Sequence, residues 1–302
     1  MPKRTIKVFQ VDAFTQQLFA GNPAGVVLGA EVMSETEMQA LARELNNSDS
    51  AFVLPPDAPD HDVRIRFFTP HREATFVGHA SVATHVARLA AGVGKPGKLR
   101  QKSRSGIYDV EIAGTSAVPT VTVAIPAPYF NPPIDAVTRI KLLDILGIDT
   151  AALDPKCPLV VTKRTSTRLM IGLRSVDLLA TLQPDFEELQ RMTPHIGADG
   201  FFVFVRDAHG PGTSESRLFS PVLGIPEDPV SGNAHAMLCA YLVANGLLPL
   251  TDGRARLRGY QGRAMARPGE VNVEVQAEGA TPVLIRMSGT ARIVFTTEVT
   301  LD

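Results

Sequence analysis

Arg66-Phe67-Phe68-Thr69-Pro70 leads to Gly78-His79-Ala80, and Arg217-Leu218-Phe219-Ser220-Pro221 leads to Gly232-Asn233-Ala234. One stretch is written twice, and the fold follows from that echo. After each glycine a proline-free segment rich in Ala, Val and Leu runs to another glycine, Gly78 to Gly92 and Gly232 to Gly246. Each segment predicts a buried helix with glycine just past its C-terminus. The N-terminus of a helix carries unpaired backbone N–H groups and partial positive charge, so two related helices can both be aimed at one anion such as a carboxylate. The expectation is a cleft between two similar halves. A third echo supports the duplication: Leu99-Arg100 precedes Gly106-Ile107-Tyr108-Asp109-Val110, and Leu257-Arg258 precedes Gly269-Glu270-Val271-Asn272-Val273. Self-similarity in the same order, at an offset of about 150 residues, is the mark of an internal repeat.

At 302 residues and 44% apolar content the chain can bury a sizeable core and fill two domains. Its 30 basic and 31 acidic residues give a net charge of -1, so no global field favours nucleic acid or an anionic membrane surface. A small, locally recognised ligand fits better. No apolar run approaches the ~20 residues that span a bilayer, and Met1-Pro2-Lys3-Arg4 before a strand-like Thr5 to Val11 lacks a signal-peptide core, so the expected location is the cytoplasm. Cys157 and Cys239 are too few and too far apart for a disulfide framework or a zinc site and read as structural.

Along the chain, Thr5 to Val11 and Ala24 to Leu28 read as strands on either side of the turn signal Gly21-Asn22-Pro23. Ser34-Glu35-Thr36-Glu37 is a capping box, and Met38, Leu41, Ala42 and Leu45 follow at helical spacing, which predicts a helix over about 34 to 46. Pro126, Pro128, Pro132 and Pro133 are expected to interrupt all regular structure and form the linker. Residues 1–128, with a returning strand at about 290–302, then make one domain and 129–289 the other. The second half predicts helices near 138 to 146, 175 to 182 and 185 to 192. Neither half alternates strand and helix as a parallel α/β sheet does. The pattern predicts an α+β fold with mostly antiparallel strands around one central helix per half.

Three polar clusters interrupt the apolar background: Asn46-Asn47-Ser48-Asp49-Ser50, His79 at the first glycine helix, and Glu227-Asp228-Pro229-Val230-Ser231-Gly232-Asn233 before the second. Carboxylate and imidazole groups near a substrate can move protons, and a helix N-terminus stabilises an anion beside it. Taken singly, Asp49 and Asp228 read equally well as loop or capping residues and His79 as a satisfied helix-start histidine. The duplication around them favours chemistry. His85 and His235, inside the helices, read as packed core, and no histidine pair has metal spacing. Without a phosphate-binding glycine loop or ligand cluster, the expectation is that no metal, nucleotide or flavin is needed.

Five ordered motifs carry a specific resemblance over nearly the whole chain: Gly21-Asn22-Pro23 after Val11-Asp12-Ala13-Phe14; Ala42 to Val53; Arg64 to Pro70; Phe76-Val77-Gly78-His79-Ala80; and Glu227 to Ala234. Together they resemble the PhzF family of phenazine biosynthesis isomerases. The resemblance implies a diaminopimelate epimerase-like fold, with two similar barrel-like domains, a site between them, and a last strand that returns to the first domain. It also implies a homodimer. The family's proton-transferring glutamate, Gly-His histidine and Glu-Asp aspartate map onto Asp49, His79 and Asp228. Asp49 departs from the pattern, being one methylene shorter than glutamate. Asn233 stands where the family isomerase has a serine. Asn22, Gly78, Ser231, Gly232 and Asn233 are the substrate-binding residues the resemblance implies, for a small cyclic or aromatic-like carboxylic acid similar to trans-2,3-dihydro-3-hydroxyanthranilate. Partners beyond that small molecule and a second copy, nucleic acid or membrane included, are not expected.

Two other readings stay open. The aspartate at 49 is compatible with a catalytically attenuated binding or interaction protein of the same fold. Racemases of this fold use a thiol immediately before each helix glycine, where this chain has Val77 and Ser231, so a thiol-based racemase or epimerase is disfavoured.

Overall fold

The structure, a computed structural model, describes residues 4–115 and 118–301. The chain divides into two compact units, Met1–Ile125 with Met287–Asp302, and Pro126–Arg286. No helix among the described residues is long and apolar enough to cross a membrane.

The first unit runs β1 (Arg4–Ala13), β2 (Asn22–Leu28), α1 (Glu35–Leu45), β3 (Asp49–Leu54), β4 (Val63–Phe68), β5 (Glu73–Ala74), α2 (Gly78–Ala90), β6 (Gly97–Ser103), β7 (Gly106–Gly114) and β8 (Pro119–Pro126). The capping box starts α1: Ser34 Oγ accepts from Glu37 N, and the Glu37 carboxylate accepts from Ser34 N at 2.7 Å. Asn46 closes the helix at φ 51°, a left-handed conformation that asparagine tolerates better than most residues. The apolar stripe of α1, Met38 and Ala42, packs with Val8, Val27, Phe52 and Phe68. Side chains alternate along strands, so the neighbours of those residues, Val26, Ala51 and Phe67, lie on the opposite face. They are buried as well. That second face wraps α2, whose residues from Gly78 to Ala87 are all buried, with the polar side chains of Ser81 and His85 both bonded to Gln101.

The second unit runs β9 (Tyr129–Pro133), α3 (Ala136–Leu146), β10 (Val160–Lys163), β11 (Thr167–Gly172), α4 (Val176–Thr181), α5 (Phe186–Ile196), β12 (Gly200–Arg206), β13 (Thr213–Ser220), β14 (Ile225–Asp228), α6 (Gly232–Ala244), β15 (Arg254–Gln261), β16 (Gly269–Glu278) and β17 (Thr281–Gly289). Leu142, Leu169, Ile171, Leu189, Phe201, Val203 and Phe219 form its outer core. The opposite face holds α6, with Phe202 edge-on to His235 and Phe204 edge-on to Tyr241. Last in the chain, β18 (Ala291–Leu301) runs antiparallel to β1 of the first unit.

The pairing order is the same in both units. β2 is parallel to β3, β3 antiparallel to β4, and β4 parallel to β6. Likewise β11 is parallel to β12, β12 antiparallel to β13, and β13 parallel to β15. Even the registers agree: Ala24 pairs with Asp49 and Ser50 with Phe68, while Arg168 pairs with Gly200 and Phe201 with Phe219. Asp49 and Gly200 therefore occupy equivalent positions, as do Ala24 and Arg168. Both central helices end in the same motif. Gly92 N donates to Leu89 O and Val93 N to Arg88 O; Gly246 N donates to Val243 O and Leu247 N to Leu242 O.

One expectation is corrected. The proline-rich segment does not interrupt all regular structure, because Tyr129–Pro133 forms β9 against β10. Pro133 pairs with Val160 and Phe130 with Thr162, which leaves Asn131 and Pro132 in an irregularity of the register. A bulge is where a strand accepts prolines, since no ladder hydrogen bond is demanded of them there. The helix expected over 185 to 192 also runs further, to Ile196, with Pro194 in its last turn.

The glycines separate two kinds of requirement. Gly246 sits at φ +65° with open space around a would-be Cβ, whereas Gly262, at φ +89°, would press a Cβ onto the carbonyl oxygens of Arg267 and Pro229. Gly246→Ala should cost about 1 kcal/mol of unfolding free energy, the ordinary left-handed penalty. Gly262→Ala should cost clearly more, because backbone must move as well. Urea unfolding of both variants checks the order; equal losses would mean that the loop at 262 yields freely.

Candidate functional site

Asp49 is the first residue of β3 and, by the strand alternation, points to the face that wraps α2. The C-cap at Asn46 and a reciprocal pair between Asn47 and Gln10, with both amide hydrogen bonds at 2.9 Å, fix the approach to it. His79 is the second residue of α2. Its Nε2 stands 3.8 Å from Asp49 Oδ2, with side-chain exposures of 8% and 14%. Two residues far apart in sequence thus share one largely dry position. Burial pushes the His79 imidazole down to about 3, so at neutral pH the contact is between a neutral ring and a carboxyl group rather than an ion pair. Nε2 is buried and makes no hydrogen bond among the described residues.

The start of α2 adds the donors. Val77 holds the N-cap position without a side-chain cap, and intrahelical bonding begins with Ser81 N to Val77 O. The N–H groups of Gly78, His79 and Ala80 precede that first bond, the orphan set that suits an anion. Asn22, fully buried, opens β2 two residues before Ala24, the register partner of Asp49.

The corresponding place in the second unit is held more tightly. Asp228 ends β14 opposite Leu218. Gln261, 1% exposed, donates from Nε2 to Asp228 O at 2.6 Å and accepts from Ser231 N at 3.0 Å. Ser231 Oγ caps α6 by accepting from Ala234 N. These two acceptors use the N–H groups on either side of Gly232 and Asn233, so the cap is narrower than that of α2. Asn233 Oδ1 is buried and makes no hydrogen bond among the described residues. Further back, His235 Nδ1 donates to Ser231 O at 2.8 Å, and its Nε2 meets Ser216 Oγ at 3.1 Å. It is a core histidine, pushed down by burial to about 4.

The duplicated Arg-x-Phe motifs prove to be matched clamps. Arg66 forks onto Glu73 at 2.8 and 2.9 Å and lies 5.0 Å over the Phe68 ring. Arg217 forks onto Glu227 at 2.9 and 2.8 Å and lies 4.9 Å over Phe219. In each unit a bidentate pair ties the strand to the segment that leads into the glycine helix. Sequence reasoning set out both arginines in the repeat but gave them no role, and it missed Gln261. The signal for Glu227 was present in its position directly before Asp228.

Neither cysteine is placed for thiol chemistry. Both are buried, with burial pushing Cys157 up to about 12 and Cys239 upward too. The positions before the helix glycines are Val77 and Ser231.

Strands wrapped in the same order around a glycine-initiated helix in each unit make the diaminopimelate epimerase-like fold, and the chain's relatives are named isomerases. The chain belongs to the phenazine biosynthesis-like protein family, which it matches over residues 11–297. It is 38% identical over 293 residues to an uncharacterised isomerase, YddE, of Escherichia coli K12, covering 97% of each chain. It is 30% identical over 284 residues to trans-2,3-dihydro-3-hydroxyanthranilate isomerase of Pseudomonas aeruginosa, covering 92% of this chain and 94% of that one. The crystal structure of a PhzF-family phenazine biosynthesis protein from Bacillus anthracis superposes with a TM-score of 0.87 at 26% identity, over 99% of this chain and 100% of that one.

The buried histidines fix a pH response. His79, His85 and His235 are all lowered below the ordinary 6.5, to about 3, 4 and 4, chiefly by burial. A histidine lowered on folding is neutral in the native state and takes up its proton on unfolding. Its stabilising contribution is therefore complete above about pH 6.5 and is lost as the pH falls toward the native value, at up to about 1.4 kcal/mol per pH unit for each group. The urea midpoint should fall steadily between pH 6.5 and 4.5. Over the same range the C2-proton resonance of His79 should stay at its neutral position, and a His79 midpoint near 6.5 would contradict the geometry.

Proposed function

We propose that the protein isomerises a small cyclic carboxylic acid by acid/base proton transfer, with Asp49 as the proton carrier. The observation that carries this reading is the Asp49–His79 pair: a carboxyl group 3.8 Å from a neutral buried imidazole, at the uncapped start of α2. The ionised Asp49 takes a proton from an activated carbon, and the electron pair left behind moves into the adjoining π-system. Returning the same proton to another carbon shifts the double bond, so no electron is gained or lost overall. Negative charge that develops on the substrate meets the free N–H groups at the helix start, fixed dipoles that need not reorganise as the reaction proceeds. His79, neutral, offers Nε2 as a hydrogen-bonding position beside the carboxyl group.

Similarity to the Pseudomonas isomerase supports the reaction class, and the aspartate at 49 supports a substrate that differs from, or sits closer than, dihydro-hydroxyanthranilate. A displacement of about 1 Å at a reacting centre can cost on the order of a hundredfold in rate, so one methylene suffices to change the preferred substrate.

Solvent deuterium incorporation, read by mass spectrometry across trans-2,3-dihydro-3-hydroxyanthranilate and related cyclic acids, tests the proposal. Asp49→Asn should lower exchange by roughly 10²–10⁴-fold while leaving ligand binding in place, since the amide keeps size and polarity but cannot carry the proton. Undiminished exchange in this variant would remove Asp49 from the mechanism. Binding without exchange in the unaltered protein, for every acid tried, would favour a binding protein of the same fold.

A further inference from the structure

Arg168 is 8% exposed, yet its guanidinium makes a single hydrogen bond, from Nη1 to Thr167 O at 2.9 Å. Its Nε is buried and makes no hydrogen bond among the described residues. Asp228 and Asp199 are near enough only for their fields to oppose its loss of charge. Arg217 shows what a satisfied buried arginine looks like in the same unit: 9% exposed, with a forked pair to Glu227 and further bonds to the carbonyls of Leu179 and Leu182. A buried, unpaired cation is costly unless something pairs with it.

Its position says where that something sits. Arg168 pairs with Gly200, on the strand positions equivalent to Ala24 and Asp49. Strand alternation turns it to the face that wraps α6, one step beyond Phe202, which touches His235 in the first turns of that helix. A Cβ at residue 200 would run into the Ser220 hydroxyl and Arg168 Cδ. The absence of a side chain there is what makes room for the guanidinium. Ser220 Oγ is buried and likewise without a partner. Where the first unit places an acid, the second places a cation and a spare hydroxyl.

From this arrangement we infer that Arg168, supported by Ser220, is an anion-binding residue of the second unit that receives a carboxylate group of a small acid. Planar guanidinium matches carboxylate through paired N–H donors, of which Nε is one. The inference rests on the proposed reading of the protein as an enzyme of small carboxylic acids, and it adds the group that recognises the acid.

Calorimetric titration with benzoate and with benzene-1,3-dicarboxylate, on the unaltered protein and on Arg168→Met and Arg168→Lys, tests it. Loss of about tenfold or more for both acids in Arg168→Met assigns the arginine to the sole carboxylate; loss for the diacid alone assigns it to a second one. Arg168→Lys, a point charge without the fork, should fall between. Thermal melting supplies the readout that a purely structural arginine would not give. Removing an unpaired buried charge should leave the ligand-free Arg168→Met variant as stable as the original or raise its Tm by about 2–4 °C. The rise in Tm on adding ligand should shrink at the same time. Unchanged affinities for acids that the unaltered protein binds would overturn the inference while leaving the isomerase reading intact, as would a lowered Tm with affinities retained. If the unaltered protein binds neither acid, the inference and the carboxylic-acid reading fall together, even where deuterium exchange on another substrate upholds proton transfer by Asp49.

Discussion

A helix buried along most of its length on every side needs an enclosure, and this chain contains two. Enclosure of α2 and α6 is the constraint from which the rest follows. Each sheet must curl around its helix, so its strands are buried on both faces for much of their length, and α1 or the α3–α5 group covers the outside. The helix itself must start at the end of the enclosure. There its first N–H groups find no intrahelical acceptor, and a glycine at the first position lets the backbone approach closely. Unpaired donors at that end are a by-product of burying the helix.

The two units meet this constraint with the same strand order and diverge in how they finish it. In the first, Val77 leaves the helix start without a side-chain cap, and Asp49 with neutral His79 stands beside it. In the second, Ser231 and Gln261 consume donors, Gly200 gives up its side chain, and Arg168 fills the space. The electrostatic characters of the two helix starts are correspondingly different, although the scaffolds are alike. The matched Arg66–Glu73 and Arg217–Glu227 forks lie in the shared part, where each steadies the connection into its helix.

Much of this was legible in the sequence because its causes are local. The capping box before α1 and the glycine that closes each central helix depend on neighbours a few residues away, and the structure places them as the spacing predicts. Proximity of His79 to Asp49 came from family likeness rather than from spacing, because thirty residues of chain separate them. What stayed hidden depends on register between distant strands. Nothing near Arg168 announces that it faces inward over a glycine, and nothing near Gln261 shows that it bridges Asp228 and Ser231. The prolines of β9 misled for a related reason: a bulge against β10 is a property of two strands, and local composition reports on only one.

The equivalence of Asp49 and Gly200 in the two registers has a consequence for how such a protein can change. The instructions for folding are carried in duplicate, through the forks, the closing glycines and the strand order, whereas the Asp49–His79 contact and the Arg168–Gly200 pairing occur once each. Substitution at a singly carried position leaves the doubly carried scaffold untouched. A lineage built this way can explore new substrates at low structural risk, and the duplication acts as a reserve of evolvability.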